Sequence, residues 1–227
     1  MQFTYYGHSS FSITTNKGIK LLFDPFLTSN PLTTTDPAMI VADYILVSHA
    51  HHDHTENVID IASRTNATII TIDELATYYA KQGLNVHAMN IGGEYNFPFG
   101  PVKLAHAQHT SSITIEGLPV YMGEPVGFMF TIDGVRFYYA GDTSNFGDMA
   151  LFGKAQPIDY AILPIGDNYT MGPSAAASAA KRLQARHVIP VHYNTFPDIM
   201  QDPNKFASLL PDDVVTILKP DQTIDLA

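Results

Sequence analysis

Short apolar runs set off by Gly, Pro and Asp-Gly turns alternate with stretches in which apolar residues recur at helical spacing. Residues 3–6 and 11–14 read as strands flanking the turn Gly7-His8-Ser9-Ser10, and residues 20–23 as a third strand closed by Asp24-Pro25. Residues 26–37, rich in Thr, Ser and Pro, predict a loop long enough to form one wall of a cleft. The apolar run Tyr44-Ile45-Leu46-Val47 is the next strand. Residues 55–64 then read as a helix with Val58, Ile61 and Ala62 on one face, 67–72 as a β-branched strand, and 73–83 as a helix capped by Asp73 and ended by Gly83. Strands near 86–90, 102–105 and 112–115 precede a pair at 127–132 and 135–140. Asp133-Gly134 joins that pair as a two-residue hairpin turn. A buried strand at 160–164, an Ala-rich helix capped by Ser174 and running to about residue 185, and strands at 187–191, 214–218 and 223–226 complete the pattern. Strands alternating with helices, plus a block of hairpins, predict an α/β sandwich.

The pattern repeats. Leu21-Leu22-Phe23-Asp24 has a counterpart in Tyr138-Tyr139-Ala140-Gly141-Asp142, with the two Asp residues 118 positions apart. Asp43-Tyr44-Ile45-Leu46 is echoed by Asp159-Tyr160-Ala161-Ile162 after 116 positions, and Ala67-Thr68-Ile69-Ile70 by Ala185-Arg186-His187-Val188 after 118. Order and spacing both persist, which predicts a duplicated half whose loops share one edge between two sheets.

Composition narrows the class. The 227 residues fit one domain spanning 1–227, and 45% hydrophobic residues suffice for a sizeable core. No apolar run approaches the roughly 20 residues needed to span a bilayer. The N-terminal stretch lacks the basic-then-apolar plan of a signal peptide, so a cytoplasmic location is expected. With no cysteine, disulfides, thiolate ligands and Cys nucleophiles are excluded, and any metal must be held by His and carboxylates. A formal net charge of −10 with scattered Lys and Arg argues against a nucleic-acid partner.

Chemistry concentrates in Ser48-His49-Ala50-His51-His52-Asp53-His54, at the end of an apolar strand. Alternate residues leaving a strand share a side, which groups His49 with His51, while Asp53 and His54 turn toward a neighbouring position. The spacing suits two adjacent metal ions better than one. This H-x-H-x-D-H motif resembles the signature of the metallo-β-lactamase superfamily and calls for ligands downstream. His109 is the expected third ligand beside His49 and His51; His106 competes, but His109 leads into the polar Thr110-Ser111-Ser112 turn. Asp142, at the end of an apolar strand, is the expected bridging carboxylate, and His192 completes a second set with Asp53 and His54. His52, His87 and His187 read as solvated or core histidines. An imidazole and carboxylate donor set suits two divalent ions, zinc first, with manganese or iron possible.

The resemblance covers nearly the whole chain and implies an αββα sandwich, two β-sheets flanked by helices. Tyr6-Gly7-His8-Ser9, Asp24-Pro25, Met171-Gly172-Pro173 and Pro190-Val191-His192-Tyr193 narrow it to metal-dependent hydrolases near ascorbate-6-phosphate lactonase. By that resemblance Asp24 holds the His loop from behind, and His8 faces the cleft and contacts substrate or leaving group. Asp167 and Asn168 fall where they can line the mouth. The expected activity is hydrolysis of a small ester, lactone or phosphodiester by a metal-bridging hydroxide, with Asp53, Asp142 and His8 as the catalytic side chains. Alternatives are a diiron oxygen-reducing oxidoreductase, whose relatives carry Glu at the place of His51 and a flavin domain, and a non-catalytic metal-binding protein. The expected partner is a small-molecule substrate, with a homo-oligomer as the form any self-association takes.

Overall fold

The computed structural model describes residues 1–226. Strands β1 (Gln2–Gly7), β2 (Ser10–Thr14) and β3 (Lys20–Phe23) form an antiparallel meander. Strands β4 (Tyr44–Leu46), β5 (Thr68–Ile72) and β6 (Val86–Met89) extend it in parallel, connected through helices α1 (His52–Thr55), α2 (Val58–Thr65) and α3 (Asp73–Ala80). The second half opens with β7 (Glu94–Phe97) and β8 (Gly100–His106), then a separate hairpin of β9 (Ser112–Ile115) and β10 (Leu118–Tyr121). Strands β11 (Val126–Ile132) and β12 (Val135–Tyr139), helix α4 (Met149–Ala155), β13 (Ile158–Pro164), helix α5 (Pro173–Leu183) and β14 (Ala185–Val191) follow. Helix α6 (Pro203–Ala207) and β15 (Gln222–Asp225) close the chain. The first sheet has seven strands in the order β15-β1-β2-β3-β4-β5-β6, and the second has six in the order β14-β13-β12-β11-β8-β7.

The expected sandwich is present, and the repeat is visible in its pairing. From β1 to β5, and from β8 through β11 to β14, both sheets run antiparallel twice and then parallel twice. Leu21 pairs with Tyr44 as Phe137 pairs with Tyr160, a step of 116 positions on both strands. By that register Asp24 matches Ala140, so Gly141 and Asp142 form a two-residue extension of the second strand end.

Alternation along each strand builds the layers. Phe137 and Tyr139 on β12 point into the core between the sheets, whereas Tyr138 and Ala140 face the second core beneath α4 and α5. Aromatic stacking dominates the inter-sheet core: Phe11 lies 4.4 Å from Phe23 and Phe23 lies 5.2 Å from Phe130, centroid to centroid. On the outer faces α3 packs on β5 and β6, and α5 on β13 and β14. No helix among the described residues is long and apolar enough to cross a membrane.

Several boundaries differ from expectation. The helix expected at 55–64 is two pieces, α1 and α2, broken at Asn57, whose Oδ1 accepts from the backbone N–H of Leu27 and Thr28. Ser174 does not cap α5: Gly172 stands at the cap position and Pro173 is the first helical residue, a site where its missing N–H costs nothing. Likewise Asp73 is the first residue of α3 rather than its cap, and α3 ends at Ala80 before Gly83. The segment 214–218 makes one bridge, Val188 with Val215, instead of a strand. Strands β7 and β10 carry exposed residues on most positions, which hid them from a reading based on apolar runs.

Candidate metal centre

Most candidate residues leave the ends of strands paired in parallel at one edge of the sandwich, where the two sheets meet, while His8 and His109 follow the antiparallel strands β1 and β8. Asp24 follows β3, the His49–His54 loop follows β4, Asp142 follows β12 and His192 follows β14. Close approach at this edge demands glycine twice. Gly141 has φ +58, and a Cβ there would lie 2.8 Å from the Ser48 Cβ; a Cβ on Gly166 would lie 2.2 Å from the His192 carbonyl oxygen. His8, Asp24 and His192 themselves adopt left-handed backbone at φ 55, 40 and 54. Such conformations cluster at functional sites, where surrounding contacts hold them in place.

Besides a fully buried cluster of Asp24, His49 and His54, two groups of donor atoms result. Those of His49, His51 and His109 lie within 4.8 Å of one another, and so do those of Asp53, His54, His192 and His8. Asp142 stands between them. Its Oδ2 is 3.0 Å from His192 Nε2, 3.3 Å from His54 Nε2, 3.7 Å from His109 Nε2 and 3.9 Å from His49 Nε2. The structure brings His109 to the cluster and sends His106 to the outer face of the second sheet. There His106 lines a groove of about 600 Å³ with Lys103, Met129, Arg136 and Phe152.

Buried polar support holds this edge. Asp24 is fully buried and accepts from Ser48 N at 2.7 Å, Ser48 Oγ at 2.5 Å, His54 Nδ1 at 2.7 Å and Tyr139 OH at 2.5 Å. Ser48 Oγ also meets His49 Nδ1 at 2.9 Å, so one carboxylate orients a histidine of each group. Tyr139 belongs to the second sheet and Asp24 to the first, and their bond ties the sheets together beneath the site. His8, expected at the cleft, is instead fully buried behind Asp53, with Nε2 3.0 Å from Asp53 Oδ2 and Nδ1 2.9 Å from Thr195 Oγ1. Burial removes His8 from the reach of a substrate. Ser48, Tyr139 and Thr195 were missed in sequence; Ser48 and Tyr139 flank recognised motifs, whereas Thr195 carries no sequence signal at all.

Electrostatics separates the groups. Burial, reinforced by the charge of His54, pushes His49 well below the ordinary imidazole value, and burial also lowers His51 and His109. Neutral imidazoles are the form that binds metal. Burial works against charge on Asp142, but His192 and His54 outweigh it and hold the carboxyl well below its ordinary range. At Asp53 burial is likewise outweighed, first by the His8 hydrogen bond. The remaining candidates lie elsewhere. His52 is exposed beside Glu56 at 3.5 Å, His87 packs on Tyr95 and Phe97, and His187 stacks on Tyr160. Asp167 and Asn168 are exposed, in left-handed turn conformations.

The donor set fits a metal. His54 Nε2 and Asp142 Oδ1 are buried without a hydrogen-bond partner, although both sit among polar side chains. Buried polar atoms are normally satisfied, so atoms left open in such company are available to a metal ion. A sandwich of this topology with His and Asp converging on one edge defines a metal-dependent hydrolase of the metallo-β-lactamase type.

Comparison with known proteins makes this specific. Residues 2–192 match the family model described as a beta-lactamase superfamily domain. The chain is 48% identical, over 100% of both chains, to UPF0173 metal-dependent hydrolases of an Exiguobacterium species and of Bacillus subtilis. The chain belongs to the UPF0173 metal-dependent hydrolases of the metallo-β-lactamase superfamily. Among solved structures it resembles Igni18, a metallo hydrolase of Ignicoccus hospitalis, with a TM-score of 0.87 at 33% identity, covering 98% of this chain and 97% of that one.

Proposed function

We propose that the protein is a dinuclear hydrolase of a small ester or lactone, with His49, His51, His109 and Asp142 holding one divalent ion and Asp53, His54, His192 and Asp142 the other. The observation that carries this reading is Asp142 Oδ2, which has Nε2 atoms of both groups within 3.9 Å. Two bound divalent ions, zinc by donor preference, supply a water of lowered pKa and Lewis acidity toward the attacked centre. The chain supplies the rest. Asp24 and Ser48 fix the imidazole planes of His54 and His49. The Asp53 carboxylate is the one acid of the set with appreciable solvent exposure, 28% of its side chain, and its Oδ1 makes no protein hydrogen bond. In this reading that oxygen would take a proton from the nucleophile and pass it toward the leaving group.

Charge favours an ester or lactone over a substrate carrying a phosphate handle. Among the described residues no Lys or Arg makes a hydrogen bond or ion pair with any member of the site. With a formal net charge of −10, the protein also presents an anionic handle away from the ions with a field of its own sign. Screening neutral lactones and aryl esters against phosphodiesters and phosphorylated lactones, with the zinc- and manganese-loaded protein, tests the reading. Turnover confined to phosphorylated compounds would reverse the charge argument, and no turnover of any class would remove the hydrolytic one.

A further inference from the structure

His8 belongs to neither proposed ligand set and is too deeply buried to touch a substrate, yet it sits at the back of the second donor group. We infer that His8 is a positioning residue, whose imidazole N–H fixes the Asp53 carboxylate while its backbone fixes His192, so that the two ligands are set as one unit. This inference rests on the dinuclear reading above.

The bonds run in two directions. His8 Nε2 meets Asp53 Oδ2 at 3.0 Å, and the His8 carbonyl accepts from His192 N at 2.8 Å and from Tyr5 OH at 3.0 Å. A carboxylate only accepts, so the proton of the neutral ring lies on Nε2. Nδ1 is then an acceptor, and the Thr195 hydroxyl at 2.9 Å donates to it, which selects the tautomer. The ring cannot swing away: it packs 4.2 Å from His192, 5.4 Å from Phe26 and 5.5 Å from Phe196 between centroids. The turn at Gly7 and His8, with φ +97 and +55 and a bulge between Tyr5 and Gly7, carries the residue from the first sheet to the end of β14 in the second.

Asp53 needs such a hold more than the other ligands do. Asp142 and His54 are enclosed on all sides, whereas Asp53 is part-exposed on one-turn α1 and makes no other side-chain hydrogen bond. Without His8 its carboxylate is free to rotate toward solvent. A competing role, His8 Nε2 as a ligand in its own right, fits the clustering of its ring nitrogen with Asp53, His54 and His192. It would occupy a position that a catalytic site keeps open.

Two substitutions separate these roles. His8→Gln keeps an N–H donor near the place of Nε2, and Thr195→Val removes the hydroxyl that orients the ring. Zinc binding to the demetallated protein is titrated, and the visible spectrum of the cobalt(II)-loaded protein is recorded. The wild-type chain is expected to bind two ions, His8→Ala to bind the second about 10–100-fold more weakly, and His8→Gln to recover most of that loss with an unchanged cobalt spectrum. Thr195→Val is expected to weaken the second ion by less than His8→Ala, and it carries the test if His8→Ala does not fold. Unchanged binding in both His8→Ala and Thr195→Val overturns the inference. So does a His8→Gln protein that folds but loses the second ion with an altered cobalt band, which would make His8 a ligand. A wild-type chain that binds fewer than two ions fails the dinuclear reading itself, independently of His8.

Discussion

Asp24 and Asp142 are the two strand-end carboxylates of a repeated half, and the molecule uses them in opposite ways. Both are buried, and each follows the third strand of its antiparallel-to-parallel unit. Asp24 is saturated by four donors from Ser48, His54 and Tyr139. Asp142 keeps Oδ1 without a partner and offers Oδ2 to four imidazoles. The two-residue extension through Gly141 accounts for the difference, since it carries the second carboxylate past the strand end and between the donor groups. A saturated carboxylate serves the architecture, whereas an unsaturated one in a polar cluster is open to a metal ion.

The sharpest way to break that contrast is to remove each carboxylate. Asp142→Ala is expected to abolish hydrolysis and lower metal content while circular dichroism stays close to wild type; full activity would refute the bridging role. Asp24→Ala should instead cost about 3–5 kcal/mol of stability, because it strands buried donors, and denaturant unfolding reads this directly. Equal losses of stability in the two variants would erase the distinction. Next in size, His109→Ala should lose activity and an ion, whereas His106→Ala should retain both, measured by turnover and elemental analysis. The reverse outcome would exchange the two histidines.

The smallest expected effect is on pH. Burial, with the charge of His192 next, pushes His8 from 6.5 down to about 4. Below pH 6.5 the unfolded chain takes up a proton at this position that the folded chain refuses until about pH 4, so folding stability falls as pH drops through that window. His54 opposes the trend: Asp142 and Asp24 outweigh its burial and raise it well above the ordinary value. Metal-free protein should therefore unfold at lower denaturant at pH 5 than at pH 7, and His8→Gln should show a shallower dependence. Identical pH slopes for the two proteins would contradict this origin.

Much of this candidate site was legible because its residues stand where apolar strands stop. His49, His51, Asp53, His54, Asp142 and His192 each follow a run whose period and composition mark a buried strand, and the 116–118 spacing of the repeat announced two sheets sharing an edge. Long-range partnership was not legible. Thr195 meets His8 across 187 residues, and Tyr139 meets Asp24 across 115, contacts that no local pattern encodes. The inward burial of His8 depends on the turn at Gly7 and on the rings of Phe26, Phe196 and His192 closing over it. A His in a polar turn therefore read as facing the cleft. Helix caps failed similarly: Asp73 stands one position and Ser174 two positions past the observed caps, displaced because Ile72 and Gly172 already carried the extended backbone.

Metal content per chain, by elemental analysis after gentle purification and again after resupply with zinc or manganese, tests the central claim most directly. The shared position of Asp142 between two donor groups predicts about two ions per chain. One ion or none after resupply would contradict it.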